Sequence, residues 1–177
     1  MTVPAGVRLR EAEPTDAAAL LAVMRSLDLE TSFMLLEPDE RTDDEHDIAA
    51  DLAATAVADN SVVMLAEADG RLIGYAGARG GRFRRRAATA QVVIGVLAAA
   101  SGRGVGSGLF RELDLWAPAH GIHHLELTVM AHNERAAALY QRVGYAVEGR
   151  ARECLFVDGR MVDELYMAKL FRAPDPG

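Results

Sequence analysis

The run Ser101-Gly-Arg-Gly104-Val-Gly106-Ser-Gly108 follows a β-rich segment ending near Val96, and in the segment after it Val105, Leu109, Phe110, Leu113 and Trp116 recur at helical spacing. A strand, a glycine turn and a helix in that order leave several backbone N–H groups at the helix start without a helical partner. The helix dipole adds partial positive charge there, and the missing Cβ atoms let the backbone itself approach an anion. The same turn can also be a tight connection, so spacing has to discriminate. A P-loop requires a lysine and a hydroxyl residue after its last glycine, and none follows here. The dinucleotide fingerprint fails in both frames: counted from Gly102 its third glycine falls on Ser107, and counted from Gly104 it falls on Leu109. What remains is a pyrophosphate site of another kind.

The elements around the turn read as an α+β, mixed α/β chain built on one sheet. Val7, Leu9 and Glu11 alternate with arginines in a short edge strand; Pro14-Thr15-Asp16 then starts a helix running to about Leu29. Glu37 to Asp47 is acidic, with Arg41 alone against it, and reads as a solvated loop entering a helix over Thr42 to Ala58. Ser61–Ala68 and Arg71–Ala78 are strands joined by Asp69-Gly70, a strong hairpin signal. A third strand is predicted over Ala87 to Val96, after a turn carrying Arg79, Arg82, Arg84, Arg85 and Arg86 that reads as an exposed hairpin tip. Leu125, Leu127 and Val129 mark a strand, and Asn133 opens a helix with Ala136, Leu139, Tyr140 and Val143 on its apolar face, ended by Gly144. Strands near Tyr145–Cys154 and Val162–Leu170 complete the order, with Val157 to Arg160 as their turn. The whole of residues 1–177 is expected to be one domain.

Composition narrows the partners. Nineteen basic residues against 26 acidic ones give a net charge of −7, which disfavours a nucleic-acid or anionic-membrane binder and suits a cationic small molecule. The single cysteine, Cys154, excludes an internal disulfide, and no signal peptide or membrane span is read, so a cytoplasmic location is expected. His120, His123 and His124 have no metal-ligand spacing, and no metal is expected.

Asn133-Glu-Arg-Ala136-Ala-Ala-Leu139-Tyr140-Gln-Arg-Val-Gly144-Tyr145 resembles the GCN5-related N-acetyltransferase (GNAT) family, whose helix pattern Asn-x-x-Ala-x-x-Leu-Tyr-x-x-x-Gly-Phe/Tyr it matches at every specified position. The family's turn pattern, Gln/Arg-x-x-Gly-x-Gly/Ala, aligns with Ser101 to Gly106, keeping Gly104 and Gly106 but placing Ser101 where Gln or Arg is usual, with Arg103 as a compensating cation. The resemblance runs from about Val7 to Leu170. It implies a twisted, mostly antiparallel sheet of about seven strands, splayed at the cofactor site and flanked by about four helices.

The resemblance also implies roles. Acetyl-CoA would be the cosubstrate, its pantetheine arm on the backbone of Ile94, Gly95 and Val96, its pyrophosphate on Arg103, Gly104, Val105, Gly106, Ser107 and Gly108, with Asn133 near the pantetheine end. Tyr140 would protonate the leaving thiolate as general acid. Phe33, Met34 and Glu37, in the loop after the first helix, are candidates for the pocket of a small-molecule primary amine. A homodimer through the C-terminal strands is a family-level expectation. The family's strand glutamate is missing, because Thr89 to Val96 contains no acid and Gln91 cannot accept a proton; a water chain, or one of Glu126, Glu30, Glu37 and His132, is the alternative. Competing readings are an acetyltransferase of protein N-termini or lysines, and a catalytically silent acyl-CoA-binding module.

Overall fold

The computed structural model describes residues 4–171. Its seven strands form one sheet in the order β1-β2-β3-β4-β5-β7-β6. They are β1 (Val7–Glu11), β2 (Val62–Ala68), β3 (Arg71–Gly80), β4 (Thr89–Val96), β5 (His124–Met130), β6 (Ala146–Val157) and β7 (Arg160–Leu170). Four α-helices flank it: α1 (Ala17–Glu30), α2 (Glu45–Ala56), α3 (Val105–Ala119) and α4 (Glu134–Arg142). Every neighbouring pair is antiparallel except β4 with β5, which is parallel. No helix among the described residues is long and apolar enough to cross a membrane.

β2 shows how sequence period and layer order agree. Its residues Val62 to Ala66 are buried without interruption, whereas a sheet with one wet face buries alternate residues. The cause is a helix layer on each face: Val62, Met64 and Ala66 join the core under α3 and α4, while Val63 and Leu65 join a second core under α1 and α2. The Asp69-Gly70 turn is the left-handed pair its sequence predicts, with φ of 50° and 71°.

Two expected elements shift at their ends. The second helix starts at Glu45 rather than Thr42, because Asp44 and Asp47 form a reciprocal capping box that fixes the first turn there. The final hairpin is longer than its apolar pattern indicates, both strands running up to the turn at Asp158 and Gly159. The arginine-rich tip is fastened at its base, Arg79 pairing with Asp51 and Arg86 with Glu126, and Asn60 donating to Gly81 O and Ala87 O across it.

One contact sets the position of β4. A Cβ on Gly74 would lie 2.8 Å from the Gly95 carbonyl oxygen and 3.2 Å from Val96 Cα, so β3 and β4 meet this closely only with glycine at 74. We expect Gly74→Ala to lower unfolding free energy by about 1–3 kcal/mol through overpacking, read as a reduced urea midpoint.

Candidate active site

β4 and β5 pair over Thr89–Gln91 and His124–Glu126 and then part. β5 stays with β7 along its whole length, Met130 facing Glu164, while β4 stays with β3, Val96 facing Gly74. From Val92 onward one edge of β4 therefore has no strand beside it, and Ile94, Gly95 and Val96 lie on that stretch. Val93 is 49% exposed although it sits mid-sheet. Unpaired ladder groups of this kind are a ready template for an extended partner.

After β4 the chain makes a 3-10 turn at Ala98–Ala100 and enters the glycine turn. Gly102 and Gly104 have φ of 79° and 90°, which glycine adopts without the steric cost of a side chain. α3 begins at Val105, so the first amides of the helix, at Val105, Gly106 and Ser107, have no helical acceptor. The Gly108 amide is already taken by Gly104 O at 2.9 Å, so the free donors stop before it. The side chains of Val105 and Ser107 are buried, leaving only their backbone to face a ligand.

The sequence reading missed Arg135. From the first turn of α4 its guanidinium donates to Ser101 Oγ at 2.7 Å and stands 3.2 Å from where a Gly102 Cβ would be. Ser101, which replaces the usual Gln or Arg, thus holds a cation from another element at the turn. The signal was one arginine inside the helix pattern, but the 34-residue separation concealed its partner.

α4 follows β5 and packs beside α3. Asn133 is its N-cap, Oδ1 accepting from the Ala136 amide at 3.1 Å and its backbone N–H donating to Met130 O at 2.8 Å, so only the side-chain Nδ2 remains to donate elsewhere. The C-terminal end is held by Lys169, whose Nζ donates to Val143 O at 2.7 Å and to Asp114 Oδ2 at 2.8 Å. Between these anchors Tyr140 is 8% exposed, edge-on to Phe110 with ring centroids 5.5 Å apart. Burial pushes its phenol from the ordinary 10.0 up to about 12, and among the described residues its hydroxyl makes no hydrogen bond.

A cleft of about 460 Å³ lies between the loop after α1 and the end of the β6–β7 hairpin. Met34 and Glu37 line it, together with Glu30, Met130, Phe156 and Asp158. Phe33 does not line it; its ring packs beside the cleft on His132, centroids 5.2 Å apart. Within the acidic stretch Arg41 is no solvated residue: it holds both oxygens of the buried Asp28, Nη2 to Oδ1 at 3.1 Å, which raises the arginine's pKa and ties the loop to α1. Glu126 is engaged by Arg86 at the base of the parted strands. No cluster of histidine, cysteine and carboxylate side chains able to hold a metal occurs among the described residues.

A parted sheet and a glycine turn at a helix start, followed by a helix with a buried tyrosine, are features of an acetyltransferase of the GNAT class, and the chain belongs to that family: the acetyltransferase (GNAT) family pattern matches residues 22–145. Members of the family use acetyl-CoA. A curated relative, L-amino acid N-acetyltransferase AaaT of Escherichia coli K12, is 31% identical over 106 residues; the match takes in 58% of this chain and 64% of that protein, so the chain spans just under two thirds of its length. A GNAT-family acetyltransferase structure from Streptococcus pneumoniae superposes with a TM-score of 0.90 at 32% identity, covering 93% of this chain and 99% of that one. The yncA protein of Salmonella typhimurium, solved with its cofactor acetyl-CoA, shares the fold at a TM-score of 0.84 and 23% identity, over 97% and 99% of the two chains.

Replacing Arg41 by Ala leaves Asp28 buried without its counter-charge. We expect a loss of about 3–5 kcal/mol in urea unfolding, and a smaller loss for the double variant Asp28→Asn, Arg41→Met.

Proposed function

We propose that this protein transfers an acetyl group from acetyl-CoA to the primary amine of a small molecule, by direct attack of the amine on the thioester. The observation that carries this reading is the free edge of β4 leading directly into a turn of unpaired amides. An extended pantetheine arm can add to the edge at Ile94, Gly95 and Val96 as a strand would, and a pyrophosphate can accept from the amides before Gly108. The residues fit the cosubstrate: a Cβ on Gly106 would crowd Leu139 at 3.2 Å, so the glycine eases the close approach of the start of α3 to α4. Arg103 and Arg135 supply cations beside that anion, and Nδ2 of Asn133 is left to donate to the arm.

Tyr140 is the general acid. The charge developing on sulfur as the C–S bond breaks needs a proton, and a phenol kept neutral by burial holds one at every physiological pH. The cleft lined by Met34 and Glu37 takes the acceptor, and its carboxylates favour an ammonium over an anion. The relative that acts on L-amino acids supports a small acceptor. A cytoplasmic homodimer is part of the same reading, supported by the exposed Val147 and Tyr166 on β6 and β7.

Calorimetry with acetyl-CoA, followed by a panel of amino acids, polyamines, amino sugars and N-terminal peptides, tests the proposal. Turnover confined to peptides would move the acceptor to protein N-termini, and binding without turnover would leave only a silent module. Tyr140→Phe is expected to lower kcat at least about tenfold with acetyl-CoA affinity retained. In the wild type, a phenol of raised pKa loses its proton only as pH climbs through about 12, so kcat should show no alkaline fall below about pH 10 from this group. Arg135→Ala should raise the acetyl-CoA Kd by roughly tenfold, the worth of a charge-assisted hydrogen bond, and flatten its salt dependence.

A further inference from the structure

An alkylammonium cannot attack a thioester until its nitrogen has lost a proton, and β4, from Thr89 to Val96, carries no group to accept one. The carboxylates lining the acceptor cleft are Asp28, Glu30, Glu37 and Asp158. Both oxygens of Asp28 are held by Arg41, and Asp158 sits at the tip of the β6–β7 turn. Glu37 lies further along the loop, where its own amide donates to Glu40.

Glu30 differs from all three in being fastened to the cofactor side of the site. It is the last residue of α1, and its Oε2 accepts from the Ala98 amide at 2.8 Å, across 68 residues of sequence. Ala98 lies two residues beyond Val96, in the chain that continues β4, and the intervening Leu97 amide donates to Ile73 O at 2.9 Å, so this continuation is still joined to β3. One oxygen of Glu30 is thus held at the seam between the acceptor cleft and the free edge of β4. The other, Oε1, makes no hydrogen bond among the described residues.

We propose that Glu30 is the general base, taking the place of the strand carboxylate that β4 lacks. This rests on the acetyltransferase reading above. One ammonium proton passes to Oε1, directly or through one water, and on to solvent. The freed lone pair forms the N–C bond to the thioester carbonyl carbon, the C–S bond breaks, and its electron pair stays on sulfur. Sulfur takes the Tyr140 proton, and the second proton shed by nitrogen replaces it on the phenol. The products are the amide, the thiol and one proton released to solvent.

Glu30→Gln isolates the chemistry, because a glutamine carbonyl can still accept from the Ala98 amide. The assay uses the full chain with acetyl-CoA and the best amine of the panel. The expected result is a kcat lowered about a hundredfold with acetyl-CoA Kd unchanged, and an intermediate rate for Glu30→Asp. The deficit must also shrink as pH rises toward the amine's own pKa, near 10 for an alkylamine, since the free base then needs no acceptor. Asp28 with Arg41, Glu37 and Asp158, the other charged groups facing the cleft, are the same in both proteins, so the ratio of rates reports on Glu30. A wild-type rate for Glu30→Gln overturns the proposal, as does a deficit constant with pH or a raised Kd, either of which marks a tether. A wild type that turns over no amine overturns the underlying reading instead, and this one with it.

Discussion

The parting of β4 from β5 after three residue pairs is the constraint on which the rest of the molecule depends. Backbone N–H and C=O groups in a sheet interior are normally paired, and an edge left open in mid-sheet is a template for another chain. Here β5 stays with β7 along its whole length and β4 stays with β3, while the two halves of the sheet diverge after Gln91 and Glu126. α3 starts beyond the turn that continues β4, and α4 packs beside it through Tyr140 on Phe110. The open backbone edge of β4 is the direct consequence of that divergence, and it leads into the unpaired amides at the start of α3.

Holding the gap open takes devices on both faces. On one, Phe110 meets Tyr140 and Tyr145 in T-shaped pairs, and Lys169 joins the end of α4 to α3 through Val143 O and Asp114. On the other, the buried pair of Asp28 and Arg41 anchors the loop that walls the 460 Å³ cleft, and Glu30 joins the end of α1 to the chain after β4. In the proposed reading the cosubstrate meets mainly backbone, with Arg103, Arg135 and Asn133 beside it, and the acceptor meets side chains of a loop and of a hairpin end, the parts of a fold that vary most freely.

Local chemistry made much of this legible before any coordinates. Asp69-Gly70 turns as its residue types require, Asn133 caps α4, and Gly144 adopts a φ of 100° at its end. The Asn133 to Tyr145 pattern carried the family assignment because a helix face and its two caps are contiguous in sequence. Contacts between distant segments were not legible. Arg135 on Ser101 and Glu30 on Ala98 join positions 34 and 68 residues apart, and no period or propensity encodes such a meeting. The acidic stretch misled for a related reason: its one arginine is an internal counter-ion, and burial, which charge counting cannot see, decides that. Phe33 is a pocket candidate because its loop mixes apolar and acidic residues, and that mixture does not encode which way a side chain turns: its ring packs on His132 while Met34 and Glu37 line the cleft.

Hydrogen exchange along β4 and the glycine turn, compared with and without acetyl-CoA, tests the central claim most directly. The account requires that the ligand slow exchange in the segment from Val92 to Ala98 and at Val105, Gly106 and Ser107, where open backbone groups acquire partners, with little change in β1 and β2. Unchanged exchange in those segments at saturating acetyl-CoA, or protection confined to another part of the sheet, would contradict it.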